Sequence, residues 1–107
     1  MDSFIQVSTT VDRRKDATKI AKSVLEEKLA ACVQVVGPIR STYWWKGKIE
    51  EAEEWLCLMK TRKQLYTRLQ KRIKAVHPYE EPEIIALPIV EGSAGYLRWI
   101  EEETGNR

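Results

Sequence analysis

The chain has 107 residues, of which 43% are hydrophobic and 32% charged, and its 18 Lys and Arg nearly cancel 16 Asp and Glu to leave a net charge of +2. That length fits one core of about 50–200 residues, so residues 1–107 are read as a single domain, and the apolar content is well above that of disordered chains. So small a charge lacks the phosphate-neutralising surface of a nucleic-acid binder, and no apolar run approaches the roughly 20 residues that cross a bilayer.

Met1-Asp2-Ser3-Phe4-Ile5-Gln6 has no basic region followed by an apolar signal core, which points to the cytoplasm. Phe4, Ile5 and Val7 with Ser8, Thr9 and Thr10 predict a short β-branched strand. Ala17, Ile20, Ala21, Val24, Leu25 and Leu29 then recur at three- and four-residue intervals, predicting an amphipathic helix capped near Asp12 or Asp16. Cys32-Val33-Gln34-Val35-Val36 starts a strand that bends at Gly37-Pro38 and resumes through Trp45. Lys46-Gly47 makes a tight turn, and Lys48 to Lys60 returns as its partner. Each strand would run about a dozen residues, roughly 40 Å, longer than a domain of this size covers by itself.

Thr61-Arg62-Lys63-Gln64 reads as a capping box that opens a second helix with the apolar stripe Leu65, Leu69, Ile73 and Val76. His77-Pro78 ends it. A strand over 84–90 follows, and Pro88 marks it as an edge or a bulge. Ser93 caps a final helix that Gly105 terminates. The fold class is therefore α+β, a ferredoxin-like βαββαβ sandwich with a long β-hairpin and an added C-terminal helix.

A turn at Lys46-Gly47 pairs Trp45 with Lys48, so facing residues sum to about 93 unless the Gly37-Pro38 bulge shifts them, and Cys57 faces residue 36. Cys32 and Cys57 then lie roughly 13 Å apart, too far for a disulfide, and both are expected as free thiols in a reducing compartment. With a single His among these cysteines, a closed zinc site is disfavoured. Four Trp and four Tyr against one Phe form the unusual part of the composition. Trp44 and Trp45 sit at a hairpin tip on opposite faces, so at least one must meet something beyond its own core: a subunit interface, or a ligand pocket between subunits.

Glu50, Glu51, Glu53 and Glu54 alternate between faces and read as edge protection and solubility. Six basic residues from Arg62 to Lys74 read as a solvated helix face. His77-Pro78-Tyr79-Glu80-Glu81-Pro82-Glu83 places the only imidazole, a phenol and three carboxylates on a stiff connector, where a metal or acid–base site can form; a His set against helix-terminal carbonyls beside an exposed acidic turn is the plainer alternative. No HExxH, P-loop, GxGxxG or GxSxG pattern marks an enzyme.

The chain resembles the CutA divalent-cation tolerance family over nearly its whole length. The matching pieces are Thr9-Thr10, Leu29-Ala30-Ala31-Cys32-Val33, Ser41 to Ile49, Lys60-Thr61-Arg62, His77-Pro78-Tyr79-Glu80 with Pro82-Glu83-Ile84, and Tyr96 to Ile100. Gln34 stands where the family usually has Asn, and Val11 where a proline is common. The resemblance implies a homotrimer, similar in assembly to the PII nitrogen-regulatory proteins, in which long hairpins pair between subunits. It implies copper or another divalent cation as the associated ligand and brings no established reaction. It also implies a cleft between protomers containing Cys32, Tyr43, Trp45, Lys60, His77, Tyr79 and Glu83. Of these, Cys32, His77 and Glu83 suit a soft or borderline ion, while Tyr43, Trp45, Lys60 and Tyr79 would line the rest, with Trp44 at the trimer interface. The expectation is a non-catalytic metal-binding or ligand-sensing trimer without nucleic-acid or membrane partners. The alternative is a small-molecule or anion sensor, or an enzyme, using Lys60 to hold the anion and His77 as acid or base.

Overall fold

The β-branched stretch Phe4–Val11 forms β1, which lies inside a four-stranded sheet of order β2-β3-β1-β4. The structure, a computed structural model, describes residues 3–105; the Met1-Asp2 part of the signal-sequence reading lies outside them. In chain order β1 is followed by α1 (Arg14–Glu26), β2 (Cys32–Trp45), β3 (Lys48–Arg62), a 3-10 turn (Lys63–Leu65), α2 (Tyr66–Val76), β4 (Ile85–Ile89) and α3 (Ala94–Thr104). All pairings are antiparallel, and the arrangement is the expected ferredoxin-like βαββαβ with a long hairpin and a C-terminal helix.

Strand alternation decides which side chains meet the helices. Ile5, Val7 and Val11 of β1 and Cys57 and Met59 of β3 point to one face, where they pack with Ala17, Ile20 and Val24 of α1 and Leu69 and Ile73 of α2. Fully burying each of the larger of these chains contributes about 1.5–3 kcal/mol. The opposite face carries Ser8, Thr10, Glu54, Leu56, Leu58 and Lys60. Arg62 points to the same side and fastens the end of α3: its Nε donates to Thr104 Oγ1 at 2.9 Å and its Nη2 to the Thr104 carbonyl at 2.7 Å.

The hairpin is longer than expected, 14 residues in β2 and 15 in β3, and gives the molecule a 44 Å long axis. Lys46 (φ 52°) and Gly47 (φ 81°) both occupy the left-handed region, as a two-residue turn between twisted strands requires. Facing residues sum to 93 from Trp45–Lys48 to Ile39–Glu54; a bulge between Val36 and Ile39 then shifts the pairing, so Cys57 faces Val35 and Cys32 faces Lys60. Gly37 sits in that bulge because a Cβ there would run into the Trp55 ring. Both cysteines are free thiols, and burial pushes that of Cys57 up to about 11. Pro88 is tolerated because β4 is an edge strand.

Three local expectations are corrected. Thr61 does not cap α2: it is buried at the end of β3, its hydroxyl donates to the Leu29 carbonyl at 2.7 Å, and α2 begins only at Tyr66 after the 3-10 turn. Tertiary burial has taken the hydroxyl that the local motif would have used. Neither Asp12 nor Asp16 caps α1; Arg13 occupies the N-cap position without a side-chain bond, which leaves Asp16 in the first turn, where its charge favours the helix dipole. Ser93 does occupy the N-cap position of α3, but its hydroxyl makes no capping bond.

Candidate functional site

The connector 77–83 crosses from the end of α2 to the sheet face that α1 and α2 leave open, and His77 anchors it. His77 is buried, with Nε2 2.9 Å from the Thr10 carbonyl and Nδ1 3.1 Å from the Tyr79 amide. A carbonyl only accepts, so Nε2 carries the proton and Nδ1 accepts from Tyr79. Burial holds the imidazole below its usual range, against smaller opposing effects from the Thr10 bond and from Asp16, Glu54 and Asp12. The ring is thus a neutral tie between β1 and the connector. It neither sits against the carbonyls of its own helix nor has a nitrogen free for a ligand.

That tie sets the next residue. The Tyr79 ring lies 4.8 Å from His77, and its hydroxyl donates to Glu54 Oε2 at 2.7 Å. Burial first, then the hydrogen bond and negative charge of Glu54, push the Tyr79 phenol up, so it stays a donor at any physiological pH. Glu54 is only 6% exposed, unlike the solvated carboxylate expected: the register puts it on the same face as Thr10 and Tyr43, and Tyr79 of the connector lies against it there. Glu54 and Tyr79 line an open cleft of about 670 Å³. Tyr43 and Trp45 wall it from the hairpin, Glu80, Glu81 and Glu83 from the connector, and Thr10, Ser41 and Thr42 complete it. No Lys or Arg is among these lining residues.

Four of the expected residues, Tyr43, Trp45, Tyr79 and Glu83, therefore share one cleft, with His77 behind it. Cys32 and Lys60 do not reach it. They face each other and Gln6, four positions along β1 from Thr10, roughly 13 Å away. Lys60 Nζ donates to Gln34 Oε1, and Tyr96 of α3 hydrogen-bonds Cys32. Burial and then its interactions with Cys32 hold the Tyr96 phenol above its usual range. Trp44 is 71% exposed on the other face of the hairpin. Among the described residues no three His, Cys, Asp or Glu side chains form a group able to hold a metal ion, so one chain does not bring Cys32, His77 and Glu83 together. The carboxylates that do share the cleft are hard oxygen donors, a poor match to copper by themselves.

Glu54, Thr10, Ser41 and Thr42 are the cleft residues that sequence reasoning passed over. The signal for Glu54 was present: a facing sum of 93 pairs it with Ile39, two alternations from Tyr43 on the same face. Its burial was not readable, because it depends on a connector 25 residues further along the chain.

Among the described residues no helix is long and apolar enough to cross a membrane. Residues 5–103 match the model of the CutA1 divalent ion tolerance protein family. The divalent-cation tolerance protein CutA of Thermus thermophilus is 48% identical over 99 residues, covering 92% of this chain and 96% of that protein. The chloroplastic CutA 1 of Oryza sativa subsp. japonica is 44% identical over 100 residues, 94% of this chain but 56% of that longer protein. The crystal structure of CutA1 from Oryza sativa superposes with a TM-score of 0.94 at 42% identity, covering 98% of this chain and 96% of that one. With the sequence motifs, the topology and the relatives in agreement along its length, the chain belongs to the CutA1 divalent ion tolerance family.

Proposed function

We propose that this chain is a non-catalytic, cation-responsive protein of the cytoplasm, one CutA-like domain over residues 1–107 that works as a homotrimer with the cleft at a subunit boundary. The observation that carries the cation reading is Glu54, a buried carboxylate that no cation pairs with in either ion pair found among the described residues, at the side of a cleft with three further carboxylates. Removing such a charge from water is costly unless a positive partner arrives. An anion would meet four carboxylates and no Lys or Arg, and His77 has no free nitrogen for acid–base work, so the anion-sensor reading gains nothing from the geometry.

The trimer is supported by apolar surface that one chain leaves open. Trp44 and Ile49 on one face of the hairpin, Val36 on the sheet, and Ile85 and Leu87 on the edge strand are all exposed. Large apolar side chains left open in this number, on both faces and at both edges of the sheet, are what subunit contacts would cover. Assembly also offers a route to copper: Cys32 of a neighbouring copy would bring a thiolate to carboxylates such as Glu83, a softer set than one chain holds. Free thiols are compatible with a reducing cytoplasm.

Light scattering should give three times the 12.5 kDa chain mass. Calorimetric titration with Cu²⁺ should show binding to the wild type that weakens in Cys32→Ser and in Glu83→Gln. A monomer in solution sinks the trimer, and copper affinity unchanged in both variants removes the proposed metal donors.

A further inference from the structure

A bare divalent ion fills little of a 670 Å³ cleft, which falls instead in the range of about 300–1,000 Å³ typical of small-molecule pockets. A metal centre needs several donors aimed at one point, and no such group exists among the described residues. The cleft offers a different combination. Glu54 is more than nine-tenths buried, lies outside both ion pairs found among the described residues, and lines the cavity beside the rings of Tyr43, Trp45 and Tyr79. The Tyr79 hydroxyl is committed to Glu54 Oε2, so Tyr79 presents its ring rather than a donor. A carboxylate beside aromatic faces is the chemistry that recognises an ammonium group bearing alkyl substituents: the charge meets the carboxylate, and the weakly hydrated carbons meet the π-faces. Trp45 already attracts such a group, since Lys46 Nζ lies 5.7 Å from its ring centroid, and Lys46 is not among the residues lining the cleft.

We propose that the cleft is a receptor for a small alkylammonium ion, with Glu54 as its counter-charge and Tyr43 and Trp45 as the faces that cover its alkyl groups. The inference rests on the cation reading of the cleft and narrows the ligand from a metal ion to an organic cation.

Calorimetric titration of the purified protein with choline, and separately with its uncharged isostere 3,3-dimethylbutan-1-ol, tests it. Choline should bind at least about tenfold more tightly than the isostere, the ratio that a desolvated cation–π contact supplies. Glu54→Gln keeps an acceptor for Tyr79, and Trp45→Ala alters a half-exposed chain, so both should fold like the wild type by circular dichroism. Each should weaken choline about tenfold. Equal affinity for choline and the isostere overturns the proposal, as does choline binding untouched by Trp45→Ala. Cu²⁺ binding that responds to Glu83→Gln, with no choline binding, overturns the alkylammonium receptor and leaves the cation-responsive protein standing. If neither cation binds a trimeric protein, both fall together.

Discussion

Replacing Tyr79 by Phe removes one oxygen atom and tests whether Glu54 and Tyr79 form the floor of the cleft. The lost bond is a 2.7 Å O–H donation to a carboxylate that is 6% exposed. Hydrogen bonds to charged groups contribute about 1.5–3 kcal/mol, and the remaining carboxylate would have to draw a water from the open cleft, which places the cost near the lower end, about 1.5–2 kcal/mol. Urea unfolding at fixed protein concentration reads this directly. With a slope of about 1–3 kcal/mol per molar urea for small proteins, the midpoint should fall by roughly 0.5–2 M while the slope stays constant. Glu54→Leu alone should be destabilising as well, and the double variant should cost less than the two singles added, by about 1 kcal/mol or more. Additive effects would show that the two side chains do not depend on each other, and the cleft would lose its fixed floor.

Other sites give independent tests. Thr61→Val strands the buried Leu29 carbonyl and should cost about 1–3 kcal/mol in the same urea assay, while Gln64→Ala should change it by less than about 0.5 kcal/mol; a large Gln64 effect would restore the capping box. His77 is held below its unfolded value, so the unfolded chain takes up the proton first: the stability it provides is complete above about pH 6.5 and falls as pH drops through the lower folded value. Thermal melts should therefore decline from pH 7 to pH 5 more steeply in the wild type than in His77→Phe, and parallel curves would contradict the buried neutral tie. Gly37→Ala drives a methyl against the Trp55 ring and should cost about 1–3 kcal/mol in urea; an unchanged midpoint would mean that the bulge yields freely.

Much of the fold could be read from local pattern because local pattern caused it. The 3.6-residue spacing of Ala17, Ile20 and Val24 is the face that packs on the sheet, and Lys46-Gly47 fixes the hairpin register from its turn outward. The readings failed where a distant partner took over a side chain. Thr61 carried a capping motif, yet the Leu29 carbonyl, 32 residues earlier in the chain, claims its hydroxyl. His77 had the look of a ligand, yet Thr10 and Tyr79 occupy both of its nitrogens. Glu54 sat in a run of carboxylates whose other members are exposed, and only the connector identifies it as different. Cys32 and Glu83 belong to separate regions of one chain, a separation that motif matching does not encode because motifs carry order and not distance.

A crystal structure at neutral pH, grown with choline and a divalent copper salt in the same drop, would show both the assembly and what the cleft holds. Three copies should surround a threefold axis, with a cation held against Glu54 in the cleft at each subunit boundary. A chain packed without threefold association, or an anion seated among those carboxylates, would contradict it.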